Sequence, residues 1–109
     1  MPPPVIPGRV VANVRAALAT LHGIARHVEG ARSELDGRLG GGGRYEADVL
    51  INRAHDIEWA NRTLALFREF APRNQVDAEA ELTALGGVPD LTPSPAAAEW
   101  LRDAGRRSA

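Results

Sequence analysis

The sequence predicts an all-α fold: an antiparallel helical hairpin of two long helices followed by two short C-terminal helices, a small four-helix domain. Three observations point there. Apolar residues recur at helical spacing over two stretches of about thirty residues each. A glycine-rich segment, "DGRLGGGGRYE" (residues 36–46), separates the two stretches. No segment alternates apolar and polar residues for long enough to make a strand. At 109 residues the chain has the length of one domain.

Residues 1–8 hold four prolines and a glycine and read as an extended arm. The first helix is expected over residues 9–39. Val14, Leu18, Leu21, Ala25, Val28, Leu35 and Leu39 form a ladder of alternating four- and three-residue steps, broken only by Arg32. Val11, Ala17 and Ile24 widen it. The second helix is expected over residues 45–71. Leu50, Ala54, Ile57, Ala60, Leu64, Phe67 and Ala71 form one face, and Arg44–Asp48 and Glu58–Arg62 are opposite charges four apart on the wet side. Pro72 stops or kinks this helix.

A short helix over residues 75–85 should end at Gly86-Gly87. "VPDLTPSP" is then a rigid connector, and Thr92 or Ser94 caps a last helix that ends before Gly105. By this reading residues 9–88 carry the hairpin and the third helix, and residues 89–109 carry the connector and the C-terminal helix.

The glycine run does not read as a phosphate cradle. A P-loop needs a lysine and a hydroxyl after its glycines, and here Arg44-Tyr45 follow. The dinucleotide pattern needs a preceding strand and a different spacing. A short link between two helices of similar length folds them back on each other, since that buries both apolar stripes.

Thirteen basic against fourteen acidic residues leave a net charge of −1, which supplies no electrostatic drive toward nucleic acid or anionic membrane. Every one of those basic residues is arginine, the usage expected of a GC-rich bacterial or phage genome. Cysteine is absent, which removes disulfides and thiolate metal sites. The N-terminal stretch lacks the basic and apolar regions of a secretion signal, and no apolar run reaches the ~18 residues needed to span a bilayer. A cytoplasmic location is the expectation.

No catalytic constellation emerges. His22 and His27 lie five apart, about 140° around a helix, so they do not chelate one metal together. His55 and Glu58 are a single three-apart pair. Ser33, Ser94 and Ser108 sit in no nucleophile motif. Arg15 and His22, with six residues between them, match the loose spacing of a helical ribonuclease. Arg15 and Arg26 share a face with His22, but Glu29 dilutes the patch as a nucleic-acid surface. No cofactor, metal or catalytic residue is assigned.

The chemistry left over is on helix faces. Trp59, Leu66 and Phe70, with Tyr45 and Thr63 nearby, point away from the core stripe of the second helix, and Trp100 and Leu101 give the last helix its own apolar face. The expectation is that this last helix folds back toward Trp59 and Leu66. Tyr45, Trp59, Leu66, Phe70, Trp100 and Leu101 are therefore the candidate interaction surface, rich in the aromatic residues that anchor interfaces. Ala12, Ala16, Ala19, Gly23 and Gly30 line the opposite side of the first helix as a candidate close-packing face, where two interior glycines cost about 1 kcal/mol each. Arg32, Arg53 and Asn61 interrupt the apolar stripes. The arginines are expected to reach the edge and water.

The function expected is a non-enzymatic protein–protein interaction or assembly protein, a bacterial or phage accessory, inhibitor or structural component that associates with itself or a protein partner. A small nucleic-acid-binding protein or regulator is the alternative. A helical ribonuclease-like enzyme is the second.

Overall fold

A computed structural model describes residues 6–39 and 43–108, with 34–39 and 108 described in backbone only. The chain is all-helical, and no strand occurs among the described residues. Five helices follow in order: α1 Gly8–Leu39, α2 Gly43–Asn52, α3 Ala54–Arg73, α4 Ala78–Ala84 and α5 Pro95–Ser108. None is long and apolar enough to cross a membrane. The expected proline arm lies mostly outside the described residues, as do the side chains of Leu35 and Leu39 and the first three glycines of the run.

The helices group into two compact units, each drawn from two separated stretches of chain. The first unit takes residues 1–22 and 55–89, and the second takes 23–54 and 90–109. The first therefore contains the beginning of α1 with α3 and α4. The second contains the rest of α1 with α2 and α5.

In the first unit the apolar ladder packs as its spacing requires. Val14, Ala17, Leu18 and Leu21 of α1 are buried, as are Ala60, Leu64, Phe67 and Ala71 of α3 and Ala78 and Leu82 of α4. Each leucine enclosed this way contributes roughly 1.5–3 kcal/mol. The predicted second helix is interrupted at one residue, Arg53, which separates α2 from α3. The interruption puts Ala54 at the surface, although the ladder placed it in the core. Asn61, set close to the core face by its spacing, is exposed too.

Helix ends account for the remaining boundary differences. Pro72 lies inside α3, which ends one residue later at Arg73; its ring forfeits the bond an N–H there would give the Arg68 carbonyl. Gln75 then takes a left-handed conformation, φ 58°, and closes the helix. The Val76 amide donates to the Ala71 carbonyl at 2.9 Å and the Gln75 amide to the Pro72 carbonyl at 3.1 Å, the paired bonds of a Schellman closure. Gln75 and Val76 are consumed there, so α4 starts later than expected. Asp77 caps it by accepting from the Ala80 amide at 3.2 Å. At its other end Gly86, φ 114°, permits the same closure, with Gly87 donating to Leu82 at 2.8 Å. The predicted glycine stop is thus a left-handed cap.

The second unit buries Ile24, Val28 and Ala31 of α1, Ala47 and Leu50 of α2 and Ala97 of α5. Ser94 caps α5 by accepting from the Ala97 amide at 3.2 Å, with Pro95 at the first helical position. The helix passes through Gly105 to Ser108, beyond the expected end. Gly105 adopts no left-handed φ, and Arg106 and Arg107 favour the negative end of the helix.

Leu64 is fully enclosed while Leu66, two residues on, is 62% exposed. Urea denaturation should separate them. Leu64→Ala is expected to cost about 2–5 kcal/mol, and Leu66→Ala under about 0.5 kcal/mol. Equal losses would mean that the side chains of α3 are turned differently from those described.

Candidate interaction surface

The outer face of α3 carries the largest exposed apolar side chains of the first unit. Trp59 is 46% exposed and Leu66 62%, with Phe70 and Thr63 half-buried beside them. At about 100° per residue these four fall within roughly 60° of arc. Beside them Leu66, Phe67 and Phe70 of α3, with Val10, Asn13 and Val14 of α1, line an open groove of about 370 Å³.

A row of charge borders the strip along one side. Glu58 holds Arg62 at 2.6 Å and Glu69 holds Arg73 at 3.3 Å, all four side chains being well exposed. Exposed pairs of this kind contribute little stability, about 0.3–0.5 kcal/mol each. Across the unit, Arg68 of α3 reaches Glu79 of α4 at 2.7 Å. The expected Glu58–Arg62 pair is present.

Trp59 and Leu66, the expected docking place of the C-terminal helix, are exposed, and α5 packs on α2 within the second unit. That packing has a steric and an electrostatic basis. Gly43, the last of the four glycines and the first residue of α2, is buried against the first turn of α5. A Cβ there would stand 2.6 Å from the Ala96 Cβ and 3.0 Å from the Ala97 nitrogen. Glu46, one turn further on, is completely buried. Its Oε1 accepts from Arg32 Nη2 of α1 at 2.5 Å and from the Ser94 amide at 3.2 Å.

Arg32 is therefore not merely reaching for water, as its place on the ladder suggested. Its side chain is 38% exposed and its guanidinium neutralises an enclosed carboxylate. Burial raises the pKa of Glu46. The hydrogen bonds from Arg32 and Ser94, with the Arg32 charge, outweigh that and hold the carboxyl below its ordinary 4.5. Asp90, on the surface, is also held below its ordinary value, by hydrogen bonds from the Thr92 hydroxyl and amide.

The other predicted surface residues are distributed as follows. Tyr45 is 55% exposed on α2, and Trp100 and Leu101 are half-buried on α5. On α1, Ala12, Ala16, Ala19 and Gly30 are exposed and Gly23 is half-buried. A Cβ at Gly23 or Gly30 would meet nothing within 4 Å, so none of the described residues makes a close approach there. Those two glycines instead border an open groove of about 530 Å³ with Arg26, His27 and Tyr45.

The titratable groups considered for catalysis lie apart. His22 Nε2 donates to the Gly87 carbonyl at 2.8 Å, anchoring the segment that leaves α4. His27 and His55 are exposed. Among the described residues no three histidines or carboxylates gather in a way that could hold a metal ion. Sequence reasoning missed Glu46, whose only signal was its position in the first turn after the glycines, one turn beyond an unusually small residue.

Two substitutions rank the Glu46 contacts. Arg32→Leu strands a buried carboxylate and should cost about 2–3 kcal/mol, more than Glu46→Gln, which leaves an arginine able to turn toward water. Because the folded pKa is depressed, the contribution of Glu46 is complete above pH 4.5 and is lost as pH falls through the lower folded value. The acid limb of a stability–pH curve should therefore be shallower in Glu46→Gln than in the parent. Coincident limbs would show that Glu46 is not held in its charged form. Compared with family models, with curated proteins and with solved structures, the chain matches none of them.

Proposed function

We propose that this chain is a non-enzymatic helical assembly protein that associates with a second copy of itself through the outer face of α3. One observation carries the proposal. Trp59 and Leu66, with half-buried Thr63 and Phe70, form a continuous strip beside a groove, and α1 and α4 of the same unit leave Trp59 and Leu66 exposed. Leaving apolar area of that kind in water forfeits about 25 cal/mol per Å², and its usual use is association. Tryptophan is among the most favoured interface anchors. Two glutamates and two arginines border the strip, so two copies approach it without net repulsion.

The same reading takes the start of α1 and α3 as antiparallel neighbours, a helical hairpin. The groove shared by residues 10–14 and 63–70 supports that arrangement, because it sets the beginning of α1 beside the second half of α3. A hairpin built this way presents α3 as a rigid ridge, which costs less to dock than a flexible segment.

Light scattering across a concentration series tests the function. The parent protein is expected to gain mass as concentration rises into the range of tens of micromolar, on the order expected for one helix-sized interface. Leu66→Asp should remain a monomer throughout, with a stability within about 0.5 kcal/mol of the parent when both are measured dilute enough to be monomeric, since most of Leu66 lies outside the core. A parent that stays monomeric would overturn the reading, as would a Leu66→Asp variant that associates like the parent.

A further inference from the structure

The geometry points to a closed, two-fold dimer in which α3 packs antiparallel on α3 of a second copy, with Arg62 of each chain facing Glu69 of the other. The inference rests on α3 being the docking face, and it adds the orientation, the register and the residues that select the partner.

The argument starts from the order of charges. Along α3 the bordering row reads Glu58, Arg62, Glu69, Arg73, and all four lie on the same side of the apolar strip. At about 100° per residue they occupy roughly 60° of arc, beginning about 20° from Leu66, while Trp59, Thr63 and Phe70 fall on its other side. Reversing the chain direction turns the row into Arg, Glu, Arg, Glu. Laid against the original, every residue then meets its opposite. Glu58 pairs with Arg73 and Arg62 with Glu69, and both pairs share one midpoint, between Ala65 and Leu66. A parallel two-fold arrangement would leave the two charged rows on opposite sides of the contact, where neither meets its complement.

A two-fold axis perpendicular to the helix at that midpoint keeps each row on its own side of the interface, so the charged rows of the two copies meet. The same axis sets Leu66 beside Leu66 at the centre. It also brings Trp59 within about two residues of rise, ~3 Å along the axis, of Phe70 of the second copy. One register therefore satisfies the apolar strip and the charges together. The pairs already present within each helix, 2.6 Å for Arg62–Glu58 and 3.3 Å for Arg73–Glu69, become halves of two four-charge clusters. Because the contact is isologous, it closes at two chains and leaves no α3 face for a third.

The test is charge reversal followed by mixing, read by sedimentation velocity on the full chain. Arg62→Glu alone sets glutamate against glutamate at both symmetry-related positions, and Glu69→Arg alone sets arginine against arginine. Each is expected to raise the dimer dissociation constant at least about tenfold. An equimolar mixture of the two variants restores both opposite-charge pairs and should dimerise within about threefold of the parent. The mixture supplies its own folding control, since each chain enters it unaltered. High salt should narrow the difference between the variants.

Variants that dimerise like the parent while Leu66→Asp dissociates would overturn this register and leave α3 as the docking face. Mixing that fails to restore the dimer would overturn it equally. A dimer indifferent to Leu66→Asp removes the docking face itself, and with it this inference. Species larger than dimers at saturation would overturn the two-fold closure.

Discussion

The carboxylate of Glu46 is the group around which the second unit is built. One oxygen, enclosed from water, accepts from an arginine of α1 and from the backbone amide that opens α5. Three helices are held by those bonds, and none of their apolar contacts alone fixes how far α5 enters. A buried carboxylate tolerates few arrangements, because a lost partner exposes the desolvation cost of a charge. That intolerance makes the contact specific. Gly43 completes it by letting the first turn of α5 rest against the start of α2 where any side chain would collide.

The first unit depends on a different constraint, the satisfaction of helix ends. α3 and α4 both finish in left-handed closures, one on Gln75 and one on Gly86, and His22 holds the segment beyond α4 through a single bond to the Gly87 carbonyl. These local closures decide where the short α4 lies and therefore which side of α3 it covers. The side it leaves uncovered carries Trp59 and Leu66. Surface chemistry here follows from capping chemistry.

The two units also use their arginines differently. In the second unit Arg32 is spent on an interior charge. On α3 Arg62 and Arg73 pair with glutamates of their own helix, in contacts too exposed to matter much for folding. Charges that add little to the stability of a chain are free to be ordered for another purpose, and a row whose sign sequence is its own complement on reversal is one such ordering.

The sequence alone determined the helical class, most core residues of α1 and α3 (buried Ala31 and exposed Ala54 excepted), a cap at Thr92 or Ser94, the stop at Gly86, and the excess of apolar side chains on the outer face of α3. Each follows from local periodicity or from the conformational rules of one or two residues, which act whatever the rest of the chain does. The interruption at Arg53, the left-handed Gln75, the burial of Glu46 and the docking of α5 on α2 were decided only in the tertiary structure. None has a periodic signature. Glu46 reads as an ordinary acidic residue in a first helical turn, and only the arrival of Arg32 and Ser94 from distant parts of the chain makes its burial affordable. The glycine run shows the division within one motif. Its composition marked a break between helices, while the need for Gly43 in particular came from α5, some fifty residues away, whose backbone occupies the space a side chain would have filled.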